Sequence, residues 1–457
     1  MDDQGSVPLR SGPAIDAAGL FLLLITLAVF LLPIFLLFPP TPPSRSDAIL
    51  QTHSRLGLQD SEKSGLASSP GSGPRQPKGA QATIQSLFIY PVKSCKGIEL
   101  KRSKVLPTGL EFDRLFTFAQ LKSPFPLGLD SSEAEQTRHE WEFITQRQFP
   151  LLATVQVDIY LPDISKSRAT GVGSIAPSSD AFLILRFPWQ EAGLRGTLAW
   201  VGAKFARGRN ALPEKEVMLP VAFPSEDEIK QRDYKYEDVK IWKDTITALN
   251  LETELPRELR LYLGVSNRLG IFRIDPARLR QVHRCAPTKA DAGYQPVTGF
   301  QDAYPLHLLN LSSVRDFSDK VEKDAILKTL DPRRFRANIL IDGADAYDEE
   351  NWKTICFKPG PRTSRRENSK FHVSCRTVRC KLPNVDPDTG YRHPVEPDRS
   401  LRKFRDVDEG AKLKGCLGMQ MTPLFDKSDS PDDMESWVEV GMPVEVLERG
   451  THIYLKQ

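Results

Sequence analysis

The amino-acid sequence predicts a mostly-β protein with some helices, an α+β fold that follows one long apolar helix. Residues 153–159 alternate between apolar and polar side chains, and short apolar runs occur at 84–90, 115–119 and 182–187. Patterns of this length are typical of strands with one or both faces buried. The folded part of the chain is therefore expected to begin with β-structure, and Pro91 would end the first strand.

The C-terminal half mixes strand and helix patterns. Short apolar runs at 339–341 and 438–446 predict strands. Residues 314–330 predict a helix that Ser312 or Ser313 would cap. Residues 225–264 are rich in charged side chains with helical spacing, so we expect helix there.

Residues 19–38 form an uninterrupted apolar stretch of 20 residues without a charged side chain. Twenty helical residues span ~30 Å, the hydrocarbon thickness of a bilayer. A cleaved signal peptide is the alternative, but its apolar region is shorter and follows positive charge. We therefore expect a single transmembrane anchor at 19–38 behind a short tail at 1–18. Arg10 precedes the stretch and Arg45 and Arg55 follow it, which favours a cytosolic catalytic part.

Residues 39–81 are rich in Pro, Ser and Gly and lack hydrophobic periodicity, so they predict a disordered tether. The net charge of +3 on 457 residues gives no electrostatic reason to expect nucleic acid as a partner. The six cysteines are scattered rather than paired, which fits a reducing compartment better than a disulfide scaffold.

Cys380 is the candidate for chemistry. It stands between Arg379 and Lys381 and leads into a turn rich in Pro, Asn, Asp and Gly. Neighbouring cations favour the thiolate form of a cysteine, which is both a nucleophile and a metal ligand. A buried structural thiol is the alternative, and it is the expected role of Cys95 and Cys375.

Five segments, in this order along the chain, resemble the MOSC family, and most closely its molybdenum-cofactor enzymes, the mitochondrial amidoxime-reducing components. The segments are IYPVKSCKG at 89–97, TGLEFDRLFTF at 108–118, RFRANILIDG at 334–343, RCKLPNVDPDTG at 379–390 and EPDRSLRKFR at 396–405. The resemblance implies a MOSC N-terminal β domain at 82–260 and a MOSC β-barrel domain at 261–457.

The resemblance also implies the site. Cys380 matches the thiolate ligand of molybdenum, a soft ligand for a metal already held by the two sulfurs of the molybdenum cofactor (Mo-molybdopterin). The other family positions that contact the cofactor match Lys93, Ser94, Arg114, Asp302, Arg336, Asn338 and Arg379. The cofactor carries a phosphate, for which Arg supplies paired, charge-assisted hydrogen bonds.

One position departs from the family pattern. The family often has a Ser/Thr pair between an Asp and a Pro, and here the segment is Asp302-Ala303-Tyr304-Pro305. Ala303 has no side-chain donor and Tyr304 is bulkier, so the departure puts part of the cofactor contact or the pocket shape in question.

The function implied by the resemblance is that of a membrane-anchored molybdenum-cofactor oxidoreductase, which reduces N-oxygenated compounds. It also implies cytochrome b5 and NADH-cytochrome b5 reductase as electron donors. The expected location is the mitochondrial outer membrane, with other intracellular membranes as the alternative. Two alternatives stay open. One is a sulfur-carrier protein of cofactor sulfuration, and the other is a membrane scaffold that has lost catalysis.

Overall fold

The computed structural model describes residues 16–37, 45–59, 61–66, 81–123, 132–133, 138–169, 180–361, 363–364, 366–425 and 434–455. The chain divides into two compact units. The smaller unit comprises residues 1–44 and 188–214, and the larger comprises residues 45–187 and 215–457. The site described below lies in the larger unit.

Strands outnumber helices in the described residues. The strands are β1 His53–Arg55, β2 Thr83–Ile89, β3 Ile98–Leu100, β4 Arg102–Leu106, β5 Gly109–Leu110, β6 Phe116–Lys122, β7 Glu140–Phe143, β8 Gln156–Pro162, β9 Phe182–Pro188, β10 Glu214–Pro220, β11 Lys235–Ile241, β12 Asp244–Asn250, β13 Leu269–Arg273, β14 Arg280–Gln281, β15 Val297–Thr298, β16 Leu306–Asn310, β17 Ile339–Asp342, β18 Trp352–Phe357, β19 Ser369–Val378, β20 Cys416–Leu424, β21 Ser436–Glu439 and β22 Val444–Arg449. The prediction of a mostly-β protein with some helices is confirmed.

The described helices are fewer than the strands. They are α1 Ala17–Leu37, α2 Arg45–Ile49, α3 Ile164–Ala169, α4 Gly193–Arg207, α5 Glu226–Gln231, α6 Arg257–Leu263, α7 Lys289–Ala292, α8 Leu311–Lys320 and α9 Asp398–Phe404. Short 3₁₀ helices lie at Pro150–Thr154, Glu252–Glu254, Pro332–Phe335, Asp348–Asn351, Leu382–Asn384 and Glu409–Ala411.

Two β-structures make up most of the larger unit. An eight-stranded sheet has the order β22-β18-β19-β20-β16-β17-β2-β3, and a closed barrel has the order β11-β12-β13-β6-β7. The sheet buries Leu309, Leu340 and Leu417 against α8, whose Phe317 is fully buried. The barrel closes around Ala119, which packs with buried aromatic and β-branched side chains.

The pairings cross the predicted domain boundary near residue 260 in both directions. Strand β2 pairs with β17 in the C-terminal sheet, and β13 pairs with β6 in the barrel. The boundaries 82–260 and 261–457 stay a prediction, but neither sheet is built from one side of that boundary alone.

Three local predictions were wrong in their elements. Residues 225–264 contain the hairpin β11–β12 between short helices rather than continuous helix. The predicted helix at 314–330 begins earlier and ends at Lys320, and Asn310 caps it rather than a serine. The predicted strand at 438–446 is two strands, β21 and β22, separated by a turn at Gly441, which has a φ of 90°.

The predicted disordered tether at 39–81 was wrong for the residues that the structure describes there. Strand β1 pairs with β8, and His53 is buried. Ser46 donates to Glu216 at 2.5 Å. Short polar segments such as these gain order from partners distant in sequence, which local composition does not reveal. Residues 38–44, 60 and 67–80 lie outside the described residues.

The predicted anchor at 19–38 corresponds to α1. Its side chains are described as far as Leu31, and those from Leu20 to Leu31 are exposed. Taken over the described part of the chain, no helix is long and apolar enough to cross a membrane.

Candidate functional site

One cavity in the larger unit is lined by all the residues that the sequence analysis selected. Its volume is about 180 Å³. The eight predicted residues on its wall are Lys93, Ser94, Arg114, Asp302, Arg336, Asn338, Arg379 and Cys380. The structure therefore brings together motifs from the two ends of the folded region.

Two neighbouring turns supply the N-terminal part of the wall. Lys93 and Ser94 follow β2, and the Lys93 N–H donates to the Phe116 carbonyl at 2.8 Å. Arg114 lies between β5 and β6, and its N–H donates to the Tyr90 carbonyl at 2.9 Å. These backbone bonds hold the two motifs side by side.

The C-terminal half supplies the rest from loops at strand ends. Asp302 lies in the loop before β16, and Arg336 and Asn338 lie in the turn before β17. Arg379 and Cys380 follow β19, the long strand between β18 and β20. Because β16, β17 and β19 belong to one sheet, the loops at their ends lie at the same cavity.

Three of the eight residues have left-handed backbone conformations. The φ angles are 69° at Ser94, 52° at Arg114 and 53° at Arg336. Such conformations are uncommon in residues other than glycine and cost on the order of 1–3 kcal/mol each. Their concentration at one cavity indicates that the fold holds these side chains in set positions.

Arg114 and Asn338 are bound into the protein itself. Arg114 Nη1 donates to Asp113 Oδ2, and Asp113 Oδ1 accepts the Tyr90 N–H at 2.8 Å. Asn338 Oδ1 accepts from Arg114 Nη1 at 3.3 Å and from the His307 N–H at 3.2 Å. These two side chains therefore support the wall of the cavity.

Arg336, Arg379 and Thr377 differ, because each keeps a buried polar atom without a partner. The atoms are Arg336 Nη2, Arg379 Nε and Thr377 Oγ1, and the statement covers the described residues. The Arg336 guanidinium lies 4.1 Å from the centre of the Tyr90 ring, and burial lowers its pKa to about 10. Leaving a buried donor unsatisfied costs about 1–3 kcal/mol. A bound molecule with acceptor oxygens or nitrogens would satisfy these atoms.

Lys93 forms an ion pair on the same wall. Its Nζ donates to Asp302 Oδ1 at 2.6 Å and to the Phe300 carbonyl at 2.7 Å. Burial lowers the pKa of Lys93 to about 8, although Asp302 opposes the shift. Trp242 Nε1 donates to the same Asp302 oxygen at 3.2 Å. Asp302 thus positions Lys93 and Trp242 at the cavity.

Cys380 is the exposed cysteine of the cavity, whereas the competing thiols are buried. Cys95 is fully buried, and burial raises its pKa to about 12. A hydrogen bond with Cys285 and burial raise the pKa of Cys375. Cys380 is therefore the thiol best placed to meet a ligand that enters the cavity.

The departure at Ala303 and Tyr304 changes the wall of the cavity. Both residues line it, and buried Tyr304 packs against Cys375 together with the half-buried Cys285. A hydrogen bond with Cys375 lowers the pKa of Cys285, and another with Tyr304 acts in the same direction. An aromatic ring thus takes the space of a small hydroxyl side chain at this position.

The sequence analysis missed Arg147 and Trp242, which line or border the cavity. Arg147 lies on the wall, and its guanidinium is 4.1 Å from the centre of the Trp242 ring. Neither residue stands in one of the five motifs, and both lie in stretches with no distinguishing composition. Their position could be found only from the way the barrel packs beside the sheet.

The cavity is strongly positive. Its cations are Lys93, Arg114, Arg147, Arg336, Arg376 and Arg379, and Asp302 is the one carboxylate among the described residues that line it. Arg376 is neutralised by Glu350 at 3.0 Å and Asp408 at 3.2 Å. An anionic ligand is therefore the kind that this cavity favours.

Comparisons with known proteins agree with this geometry. The chain matches the MOSC N-terminal beta barrel domain over residues 81–179 and the MOSC domain over residues 295–445. The chain belongs to the MOSC family. The two matches include all five motifs, so the MOSC assignment and the cavity rest on the same segments of the chain.

Relatives within the MOSC family are distant in sequence. Rat mitochondrial amidoxime reducing component 2 is 22% identical over 79% of this chain and 82% of its own. Human mitochondrial amidoxime-reducing component 1 is 23% identical over 80% and 83%. A zebrafish molybdenum cofactor sulfurase is 24% identical over 72% of this chain and 31% of its own length.

Proposed function

We propose that this MOSC protein is a molybdenum-cofactor oxidoreductase that reduces N-oxygenated compounds. The observation that carries the proposal is the cavity itself. It combines an exposed thiol, Cys380, with buried donors that lack partners and with several cations. The names of the relatives support a function connected with the molybdenum cofactor.

The chemistry of the wall fits such a cofactor. Cys380 would provide the thiolate ligand, because a soft metal bound to sulfur prefers thiolate over oxygen or nitrogen. Arg336, Arg379 and Thr377 would donate to the oxygen and nitrogen acceptors of the cofactor, including its phosphate. The cavity encloses about 180 Å³, less than the roughly 300 Å³ of a typical small-molecule site. Mo-molybdopterin would therefore be only partly enclosed by this cavity.

The bound cofactor would supply the two-electron chemistry, and the chain's residues supply binding and orientation. Arg336 and Arg379 would offset the negative charge of the bound cofactor at the cavity wall. Arg114 and Asn338 fix the turn that carries Arg336, since Arg114 Nη2 also donates to the Arg336 carbonyl at 3.3 Å. Reduction of an N-hydroxyl group to N–H consumes two electrons and two protons and releases water.

The electron donors in this proposal are cytochrome b5 and NADH-cytochrome b5 reductase, as the resemblance implies. The proposed location is the mitochondrial outer membrane, with residues 19–38 as a single-pass anchor and the catalytic part on the cytosolic side. The uncharged, apolar sequence of this stretch supports the anchor.

Molybdenum analysis combined with an activity assay tests the proposal. Purified protein should contain molybdenum near one atom per chain and should reduce a model amidoxime with NADH when both donors are present. Omitting either donor should stop NADH oxidation. Protein that loads no molybdenum and reduces nothing would contradict the proposal and favour the scaffold.

A sulfur-carrier function is the second candidate, because the chain also matches the zebrafish molybdenum cofactor sulfurase. Two thiols could carry the sulfur. One is the exposed Cys380, and the other is Cys285, because a lowered pKa favours its thiolate form. Mass spectrometry after incubation with a cysteine desulfurase and cysteine separates the two functions. A persulfide on one of these thiols, without amidoxime reduction, would favour the sulfur carrier.

A further inference from the structure

The apolar side of helix α4 is exposed. Leu194, Leu198, Val201 and Phe205 follow a spacing of four, three and four residues, which places them on one face of a helix. Their exposed fractions are 85%, 43%, 37% and 89%. An apolar stripe of this kind normally faces the core of a protein.

The buried side of α4 is the opposite one. Ala203 lies nine residues after Leu194, half a turn away around the helix, and it is only 8% exposed. Gly196 is also buried and lies on the same side. The buried residues on this side are small, whereas the four large apolar side chains of the stripe are exposed.

The segment that carries this stripe has more cations than anions. Residues 191–214 contain Arg195, Lys204, Arg207 and Arg209 against Glu191 and Glu214. Lys204 Nζ lies 4.5 Å from the centre of the Trp200 ring, at the flank of the stripe. Trp beside Lys or Arg at the border of an apolar face is typical of helices that lie in a membrane interface.

We propose that α4 is a membrane-surface helix that inserts Leu194, Leu198, Val201 and Phe205 between the lipids of an anionic bilayer. Lys204 and Arg209 would contact lipid phosphates and carboxylates, each contributing on the order of 1 kcal/mol. The site is separate from the cavity and does not depend on the proposed reductase function.

A second copy of the chain is a poorer occupant of this face. Pairing two α4 helices through their stripes would bring together two segments, 191–214, in each of which four cations outnumber two anions. Like charges in contact oppose association. An anionic lipid surface satisfies both the apolar stripe and its border.

Fluorescence quenching by brominated lipid tests the proposal on the full-length chain. In a Trp200→Phe background, Phe205→Trp places a new fluorophore at the centre of the stripe. The matched control is Leu261→Trp, which lies at a helical position with 51% exposure in the larger unit. Vesicles of phosphatidylcholine and phosphatidylserine would carry bromine on their acyl chains.

The emission added by Phe205→Trp should fall in brominated vesicles, whereas that of Leu261→Trp should not. The loss should be smaller in vesicles of phosphatidylcholine alone. Equal emission with and without bromine would overturn the proposal, whether or not α1 holds the chain on the vesicles. A dimer in detergent that Leu194→Asp with Phe205→Asp dissociates would also overturn it, in favour of a second copy.

Discussion

Replacing Arg336 and Arg114 separately distinguishes cofactor binding from support of the cavity wall. Arg336→Ala removes a cation with an unsatisfied donor, Nη2, and its contact with Tyr90. A charge-assisted hydrogen bond to a ligand is worth about 1.5–3 kcal/mol. Because about 1.4 kcal/mol equals a factor of ten, cofactor affinity should fall roughly ten- to a hundredfold. The contact with the Tyr90 ring contributes about 2 kcal/mol or more when desolvated, whereas the unsatisfied buried donor costs about 1–3 kcal/mol, so the two effects on stability largely cancel.

Arg114→Ala should act mainly on the fold. Asp113 is fully buried and Arg114 is 13% exposed, so the substitution leaves a buried carboxylate without its ion-pair partner. Breaking such a pair costs about 3–5 kcal/mol. We expect this variant to melt clearly below the wild type even without cofactor, whereas Arg336→Ala should melt close to it.

The assay combines thermal melting of cofactor-free protein, molybdenum content after loading, and amidoxime reduction per bound molybdenum. Arg257→Ala, at an exposed cation of α6, is the control and should change none of the three. Full molybdenum content with a collapsed rate in Arg336→Ala would refute the assignment of Arg336 to cofactor binding. Unchanged melting in Arg114→Ala would refute the supporting role of its ion pair.

Three further outcomes are expected. Cys380→Ser should abolish amidoxime reduction while melting like the wild type, because an exposed thiol contributes little to packing and a hydroxyl is a poor ligand for molybdenum; normal turnover in this variant would exclude Cys380 as the ligand. Deletion of residues 1–44 should release an enzyme that no longer sediments with membranes through α1, and loss of molybdenum from it would show that the deleted part supports the fold. The pKa of Lys93 is about 8 in the folded protein, below its ordinary value of 10.5. Between these two pH values the unfolded chain therefore binds more protons than the folded one. Through Lys93, the free energy of unfolding of the wild type should rise with pH in this range. Urea unfolding at about pH 7.5 and pH 10 should show that Lys93→Met lacks this rise in the free energy of unfolding. An equal rise in both proteins would contradict the lowered pKa of Lys93.

The sequence predicted the strands whose apolar residues are continuous. Residues 84–90, 115–119 and 339–341 correspond to β2, β6 and β17, whose buried side chains leave a clear pattern. The hairpin β11–β12 was missed because Lys235–Ile241 exposes most of its polar residues and resembles a charged helix. Helix α4 was missed because its apolar side does not face a core.

All eight predicted residues line one cavity, and all except Asp302 stand in one of the five motifs. Their roles at the cavity differ in ways that sequence cannot show. Arg114 and Arg336 are both arginines in motifs, yet one is paired with a buried carboxylate and the other keeps a free donor. Arg147 entered the site through packing alone.

The cavity wall joins Lys93 to Cys380, residues from opposite ends of the folded region. During synthesis, the site therefore cannot exist until nearly the whole larger unit has left the ribosome. Loading of the proposed cofactor would therefore be a late step of biogenesis, after nearly all of the larger unit has been synthesised. A ligand that binds only the finished cavity also stabilises every element that builds it, so cellular supply of the cofactor would govern how much of this protein survives quality control.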